Sequence, residues 1–423
     1  MIIIFIILRP LQLIYALCAS QLPVLLLRSA CGYTIPPKTW GEACADYLTC
    51  SGPLFIKLGQ LLSTRNDIFS QAFLTPLEAL QDTTQALHDV VAHKSIEKAF
   101  ERPLSSLFLS FDHTPIASAS IAQVHKAVLH DGRHVVVKLQ RPGVKNLIYC
   151  DIFYLTGIAW LVSCIPAFRG LHARAIVREF EHMLLKEINF TLEASAMSQC
   201  ARQYADNKNI YIPQVIWPYV TPEAFIMEYV TGIHLRDLDI HKISAQERHT
   251  LATQLLSFFL HQVFITASFH GDLHPGNILI DIHSSPQPRI ILIDFGIMGD
   301  LSLHDRYFLY ANFSAILRHD YTRIAQLHHD AGWVPKNTDI TTFSVYARSV
   351  LEPLYHVPLH DISIAQCLSR LLSIGNHFHM RLLPELCMLQ KSLVHLESIL
   401  RYLDPSIRVF NVLQKLRSWH LTL

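Results

Sequence analysis

Apolar residues recur at three- and four-residue spacings through LFIKLGQLLSTRNDIF and FLTPLEALQDTTQAL, so residues 1–110 are predicted to be helical. The period then shortens. IAQVHKAVLH and RHVVVKLQ are β-branched and roughly alternating, and Asp131-Gly132 between them marks a hairpin turn. From Ile176 to about Tyr204 the pattern is again that of a helix, rich in acidic residues. AFIMEYVTG (224–232) is a short apolar strand running into a turn, and a helical stretch over 250–268 leads into HGDLHPGNILI. RIILIDFG follows as another strand after a Ser/Pro-rich turn, and beyond residue 300 only amphipathic helices are predicted. No internal repeat is visible. A helical extension, a small β-rich lobe and a helical lobe make an α+β architecture. The corresponding segments are an apolar piece at 1–29, the extension at 30–110, the β-rich lobe at 111–232 and the helical lobe at 233–423.

The chain has 423 residues, more than one core usually holds, which agrees with several segments. Charged residues make up 16% and hydrophobic ones 51%, enough apolar mass to exclude disorder. With 35 Lys and Arg against 34 Asp and Glu there is no basic field, so no nucleic-acid partner is expected. Nine cysteines without a CxxC pair point to reduced thiols and a cytosol-facing protein. The low charge raises the question of a membrane. PLQLIYALCASQLPVLLL (10–27) is uncharged and long enough to span one. Arg9 precedes it, and Pro10, Gln12, Ser20, Gln21 and Pro23 dilute it, so an interfacial or docking helix is preferred over a span. No second segment is expected to reach a comparable charge-free length, and the remainder is expected to be globular.

The strongest chemical signal is His270-Gly271-Asp272-Leu273-His274-Pro275-Gly276-Asn277, followed by Asp294-Phe295-Gly296 at the end of an apolar strand. Phosphoryl transfer needs a carboxylate near the attacking hydroxyl and oxygen ligands that hold Mg²⁺ on the phosphates. Asp272 and Asn277 have the Asp-x4-Asn spacing of a kinase catalytic loop, and Asp294 would supply the second metal ligand. Lys138 ends VVVK, where a kinase lysine contacts the α- and β-phosphates of ATP. Ahead of it, Ile116 leads into Ala117-Ser118-Ala119-Ser120-Ile121-Ala122-Gln123-Val124, a GxGxxGxV loop with each glycine replaced by alanine. Alanine keeps close backbone approach to phosphate but gives up conformational freedom, so a stiffer loop is expected. Glu187 and Glu193, six residues apart on one predicted helix, compete to be the partner of Lys138. The segment through Glu228 and Val230 is placed where a kinase hinge binds adenine. No Ala-Pro-Glu follows, so the protein-substrate platform of ordinary kinases is not evident.

HGDLHPGN resembles both aminoglycoside-type phosphotransferases and the atypical kinase-like family that includes UbiB and the mitochondrial ADCK proteins. ASASIAQVHKA with VVVKLQRPGV selects the second family, as does Lys57-Leu58-Gly59-Gln60 followed by LLSTRNDIF and LEALQDTT, similar to its KxGQ extension. Glu187-Ile188-Asn189 falls where the family has ExD, and the text from YIPQVIWPYV to LLPELCMLQKSLVHLESILRYLDP is similar to its bacterial branch. The resemblance covers about residues 30 to 415. It implies a two-lobe protein-kinase-like fold, an atypical kinase or ATPase using ATP and Mg²⁺, and a role in ubiquinone biosynthesis. Implied partners are ubiquinone-biosynthesis enzymes, isoprenoid quinone precursors and the bacterial inner membrane, with the catalytic part facing the cytoplasm. Lys57, Gln60 and Glu187 would regulate access, Lys57 pairing with Glu187 and Glu193 with Lys138. Bacterial members usually end in an apolar hairpin; none precedes Leu423, so the first 29 residues or partners are expected to attach this chain. A small-molecule phosphotransferase and a nucleotide-sensing scaffold of the quinone-biosynthesis enzymes stand as alternatives.

Overall fold

The computed structural model describes residues 2–63, 69–80, 89–166, 171–282, 288–352 and 384–407, together with Phe378. The TRNDI and QDTTQALH parts of the predicted extension and most of the Ser/Pro-rich turn lie outside the described residues. Helices α1 (Ile2–Ala19), α2 (Leu22–Ala30), α3 (Pro37–Ser51), α4 (Pro53–Ser63), α5 (Gln71–Glu78), α6 (Asp89–Phe100) and α7 (Leu104–Leu107) come first. Strands β1 (Phe108–Ser118), β2 (Ala122–Leu129) and β3 (His134–Gln140) follow, then α8 (Val144–Cys164), α9 (Ala173–Glu187) and α10 (Phe190–Gln203). After β4 (Ile210–Tyr211), β5 (Val215–Val220), β6 (Ala224–Glu228) and β7 (Ile233–His234) come α11 (Ala245–His261) and β8 (Ser268–His270). The chain then forms β9 (Ile278–Asp281), β10 (Arg289–Leu292), β11 (Met298–Asp300), α12 (Leu303–Leu317), α13 (Tyr321–Asp330), α14 (Ile340–Leu351) and α15 (Pro384–Leu403).

Two compact units result, Met1–Ser195 with Gln214–Tyr229, and Ala196–Pro213 with Val230–Leu423. Ala196–Pro213, grouped by sequence with the β-rich lobe, thus clusters with the helical unit.

In the first unit the antiparallel sheet runs β1-β2-β3-β6-β5. The β2–β3 hairpin turns at Asp131-Gly132, where Gly132 takes φ +86° and Asp131 Oδ1 accepts from Arg133 N at 3.0 Å. Val135, Val137 and Leu139 of β3 pack with Ala92 and Ile96 of α6 into one core. A second core gathers Leu54, Phe55 and Leu58 of α4 with Leu74 and Leu77 of α5, Ile148 and Ile152 of α8, and Phe180 and Leu184 of α9.

The predicted helix from Ile176 to Tyr204 is two helices. Asn189 interrupts it: its Oδ1 accepts from Thr191 N at 3.2 Å, and Phe190 N donates to Pro222 O at 3.1 Å. A short amide side chain that caps a backbone N–H starts a new helix here, a break that periodicity does not register.

The expectation of no second long apolar segment also fails. Residues 152–168 are uncharged, and α8 is long and apolar enough to cross a membrane; α1 and α2 together reach that length across a 64° bend. Asp151 hides α8 from a charge count. It is fully buried and receives Arg9 Nε at 2.5 Å and a second Arg9 nitrogen at 2.8 Å, while Arg9 also donates to Ser51 O at 2.9 Å. The charge that interrupts the apolar start of the chain is therefore an internal tie between α1, α3 and α8.

In the second unit, β4-β10-β9-β7 form a small sheet and β8 pairs with β11. Ser244 and Glu247 form a reciprocal capping box that starts α11. Its last turn loosens into a π-helical segment, Gln262–Thr266, in which Gln262 Oε1 accepts from His270 N at 3.1 Å.

Candidate active site

In the first unit β3 is flanked by β2 and β6, and every residue from Val135 to Gln140 is buried. A lysine in such a strand needs a counter-charge. Lys138 Nζ lies 2.5 Å from Glu193 Oε1 and 5.6 Å from the centre of the Phe190 ring. Because Asn189 restarts the helix, Glu193 falls in the first turn of α10, where the helix dipole favours an acid.

Ile116, Ala117 and Ser118 belong to β1, Ala119 to Ile121 make the turn, and Ala122 to Val124 open β2. Among the described residues the non-glycine positions with positive φ are Glu101, His172, Ala267 and His319, so the alanines follow a path that L-residues adopt without strain. Arg141 of the VVVKLQRPGV segment, given no role by the sequence reading, clamps this turn. Its Nε donates to Ala119 O at 2.7 Å, its guanidinium to Ser118 Oγ at 2.6 Å, and its backbone N to Ile121 O at 2.7 Å. Ser120 Oγ and both ends of the Gln123 side-chain amide are buried without a hydrogen-bond partner among the described residues. Glu228 ends β6 and accepts from Gln214 N at 3.2 Å, and half-buried Val230 follows it outside any strand.

Lys57 of α4 and Glu187 at the end of α9 form an ion pair, with side chains 14% and 18% exposed. Gln60 Nε2 donates to Leu80 O at 3.0 Å, fixing the end of α4 to the segment after α5.

In the second unit His270 organises the motif. Its Nε2 donates to Asp294 O at 2.6 Å, and its Nδ1 accepts from Asp272 N at 3.2 Å. Burial pushes the imidazole pKa down against the opposing charges of Asp294 and Asp272, which fits this neutral tautomer. Asn277 Nδ2 donates to Asp272 O at 3.1 Å, and Asp294 Oδ1 accepts from Gly296 N at 2.9 Å. Asp272, Asn277 and Asp294 thus belong to one hydrogen-bonded assembly. Gly271 is required by packing, since a Cβ would sit 2.6 Å from Met388 Sδ and 2.8 Å from Ile297 Cγ2.

Two charged or titratable neighbours of Asp272 were not legible in the motif. Lys391 Nζ lies 2.9 Å from Asp272 Oδ1, and His395 Nδ1 lies 3.8 Å from the same oxygen. Burial opposes ionisation of Asp272, but Lys391 and then His274, with His395, hold its carboxyl below the usual range. Ser392 Oγ donates to His270 O at 2.9 Å. Met388, Lys391, Ser392 and His395 follow helical spacing, which marks one face of α15.

Among the described residues no group of three or more His, Cys, Asp or Glu could hold a metal ion by itself. Mg²⁺ on a nucleotide needs fewer protein ligands, one or two carboxylates beside phosphate oxygens. The donor set fits that demand: Asp294 brings a carboxylate, and Asn277, whose nitrogen is engaged with Asp272 O, leaves its Oδ1 as a ligand.

An ABC1 atypical kinase-like domain model matches residues 79–328, and a UbiB helical domain model matches residues 347–408. A probable protein kinase UbiB of Pseudomonas fluorescens is 38% identical over 364 residues, covering 86% of this chain and 68% of the relative. A Xylella fastidiosa protein of the same name is 39% identical over 364 residues, covering 85% of this chain and 66% of the relative. The chain thus spans about two thirds of the length of these relatives. A Mycobacterium tuberculosis protein solved in complex with erythromycin shares the fold at TM-score 0.62 and 23% identity, covering 85% of this chain and 90% of that one. The chain belongs to the ABC1 atypical kinase-like family, and it carries that family match together with a UbiB helical domain.

Proposed function

We propose that this chain binds Mg·ATP, transfers or hydrolyses its terminal phosphoryl group, and supports ubiquinone biosynthesis at the bacterial inner membrane. The observation that carries the reading is the assembly built on His270, which ties Asp272, Asn277 and Asp294 together by hydrogen bonds. Lys138 would orient the nucleotide phosphates, and Ser120 and Gln123, buried without partners, would donate to phosphate oxygens. The backbone around Glu228 and Val230 would receive the adenine. Asp272 would take the proton of the attacking hydroxyl or water as its oxygen bonds to the γ-phosphorus. The bond from that phosphorus to the β-phosphate oxygen breaks, and its electron pair leaves with ADP. Mg²⁺ held by Asn277 and Asp294 would offset the charge of the phosphates.

The UbiB name of the relatives supports the quinone pathway, with its enzymes and isoprenoid precursors as partners. Membrane attachment is supported by exposed apolar side chains on α1, α2 and α8. Leu11, Tyr15, Leu27, Phe153, Trp160 and Leu161 are all more than half exposed there. Past Lys145 the exposed positions of α8 carry no charge.

Binding of Mg·ATP to Asp294→Asn tests the site. Affinity should fall sharply, and unchanged affinity and hydrolysis would remove the assignment. Quinone profiles of a deletion strain, rescued by the parent gene but not by Asp294→Asn, test the pathway.

A further inference from the structure

We propose that Lys391, carried by α15, is a positioning residue of the catalytic loop: it pins Oδ1 of Asp272 and so presents Oδ2 to the attacking hydroxyl. The inference rests on the phosphoryl-transfer reading of Asp272.

The loop controls its own backbone but not this side chain. Asp272 N is held by His270 Nδ1 and Asp272 O by Asn277 Nδ2, which fixes the Cα and leaves the carboxylate to rotate. Between Asp272 and Asn277 the loop contains no Lys or Arg that could stop that rotation. Lys391 Nζ does so at 2.9 Å on Oδ1, and His395 Nδ1 stands behind it at 3.8 Å from the same oxygen. Among the described residues nothing bonds Oδ2.

The lysine is itself well anchored. Ser392 Oγ donates to His270 O at 2.9 Å, and Met388 packs where Gly271 has no side chain. Both neighbours fix the α15 backbone on the loop, so the reach of Lys391 to Asp272 is set by rigid elements. Pinning one oxygen of a general base fixes the direction of the other, and misplacement of a reacting group by about 1 Å can cost on the order of 100-fold in rate.

The experiment compares the parent with Lys391→Gln, Lys391→Met and Lys391→Arg, each also combined with Asp272→Asn. Mg·ATP affinity, single-turnover ATP hydrolysis and thermal melting are measured on the full chain. Lys391→Gln and Lys391→Met should bind Mg·ATP within about twofold of the parent yet hydrolyse it about 10- to 100-fold more slowly. Lys391→Arg should recover most of the rate. In the Asp272→Asn background, Lys391→Gln and Lys391→Met should have no further effect. Parent-like turnover in Lys391→Gln overturns the proposal, as does a loss of equal size with and without the Asp272 carboxylate. Loss of nucleotide binding together with a collapsed melting temperature in all three variants also overturns it, because the role is then structural. A parent chain that fails to bind Mg·ATP would instead remove the underlying reading.

Discussion

Lys57 and Glu187, 130 positions apart, meet in an ion pair, while Glu193, only six residues further along, meets Lys138. The helix break at Asn189 lets two nearby acids serve two lysines from different parts of the chain. Both pairs are largely withdrawn from water, so removing one partner leaves an uncompensated charge.

For the first pair, Lys57→Ala and Glu187→Ala should be strongly non-additive. A coupling energy of about 1–3 kcal/mol is expected from urea denaturation of the two single variants and the double variant. Simple additivity would show that the two side chains are neighbours without being a latch.

Glu193→Gln should destabilise the first unit more than Glu187→Gln does, because Lys138 sits in a strand buried along most of its length. A loss of about 3 kcal/mol is expected. Urea midpoints decide, and equal losses in the two variants would contradict the ranking.

The alanine turn should respond to two kinds of change. Ala119→Gly frees its backbone, and Arg141→Ala removes the side-chain clamps on Ser118 and Ala119. Both should shift the ratio of ATP to ADP affinity in the same direction by a few-fold, as read by titration calorimetry. Parent-like affinities in both would make the turn a structural corner only.

Attachment to lipid should depend on α8 as well as on the N-terminal helices. Phe153→Glu with Trp160→Glu places charge on an otherwise uncharged exposed face and should lower flotation with anionic vesicles several-fold. A chain starting near Gly32 should also lose flotation. Full recovery of either would move the attachment elsewhere.

Acid should weaken the second unit before it reaches the usual carboxylate range. Burial pushes His261 and His328 down, and His395 falls to about 4. Each is neutral when folded, so below about pH 6.5 the unfolded chain takes up protons that the native one refuses. Stability is therefore intact above pH 6.5 and declines toward pH 4. Urea midpoints between pH 7.5 and 4.5 should show that slope, and His328→Gln should flatten part of it.

The sequence reached furthest where chemistry is contiguous. Asp272, Asn277 and Asp294 were legible because their spacing is local and each sits beside an apolar strand. The two ion pairs came from a family resemblance, since nothing in the spacing links Lys57 to Glu187. What escaped has physical reasons. Arg141 and Lys391 look like solvated cations until tertiary contacts appear, and Asn189 breaks a helix without breaking its apolar period. Asp151 shortened the charge-free run of α8 in the sequence, because charge counting ignores which way a side chain points.

The contacts of α15 with the loop also bear on how the molecule is made. During synthesis His270, Gly271 and Asp272 emerge long before Met388, Lys391 and Ser392, so the nascent chain carries the motif unfinished until α15 has been translated. The ABC1 match stops at residue 328, short of that helix. A fragment cut at that boundary would hold every residue of HGDLHPGN and still lack the lysine beside its aspartate and the hydroxyl on its histidine carbonyl. A recombination that separated the two matched regions would strip the loop of these contacts without altering a letter of it.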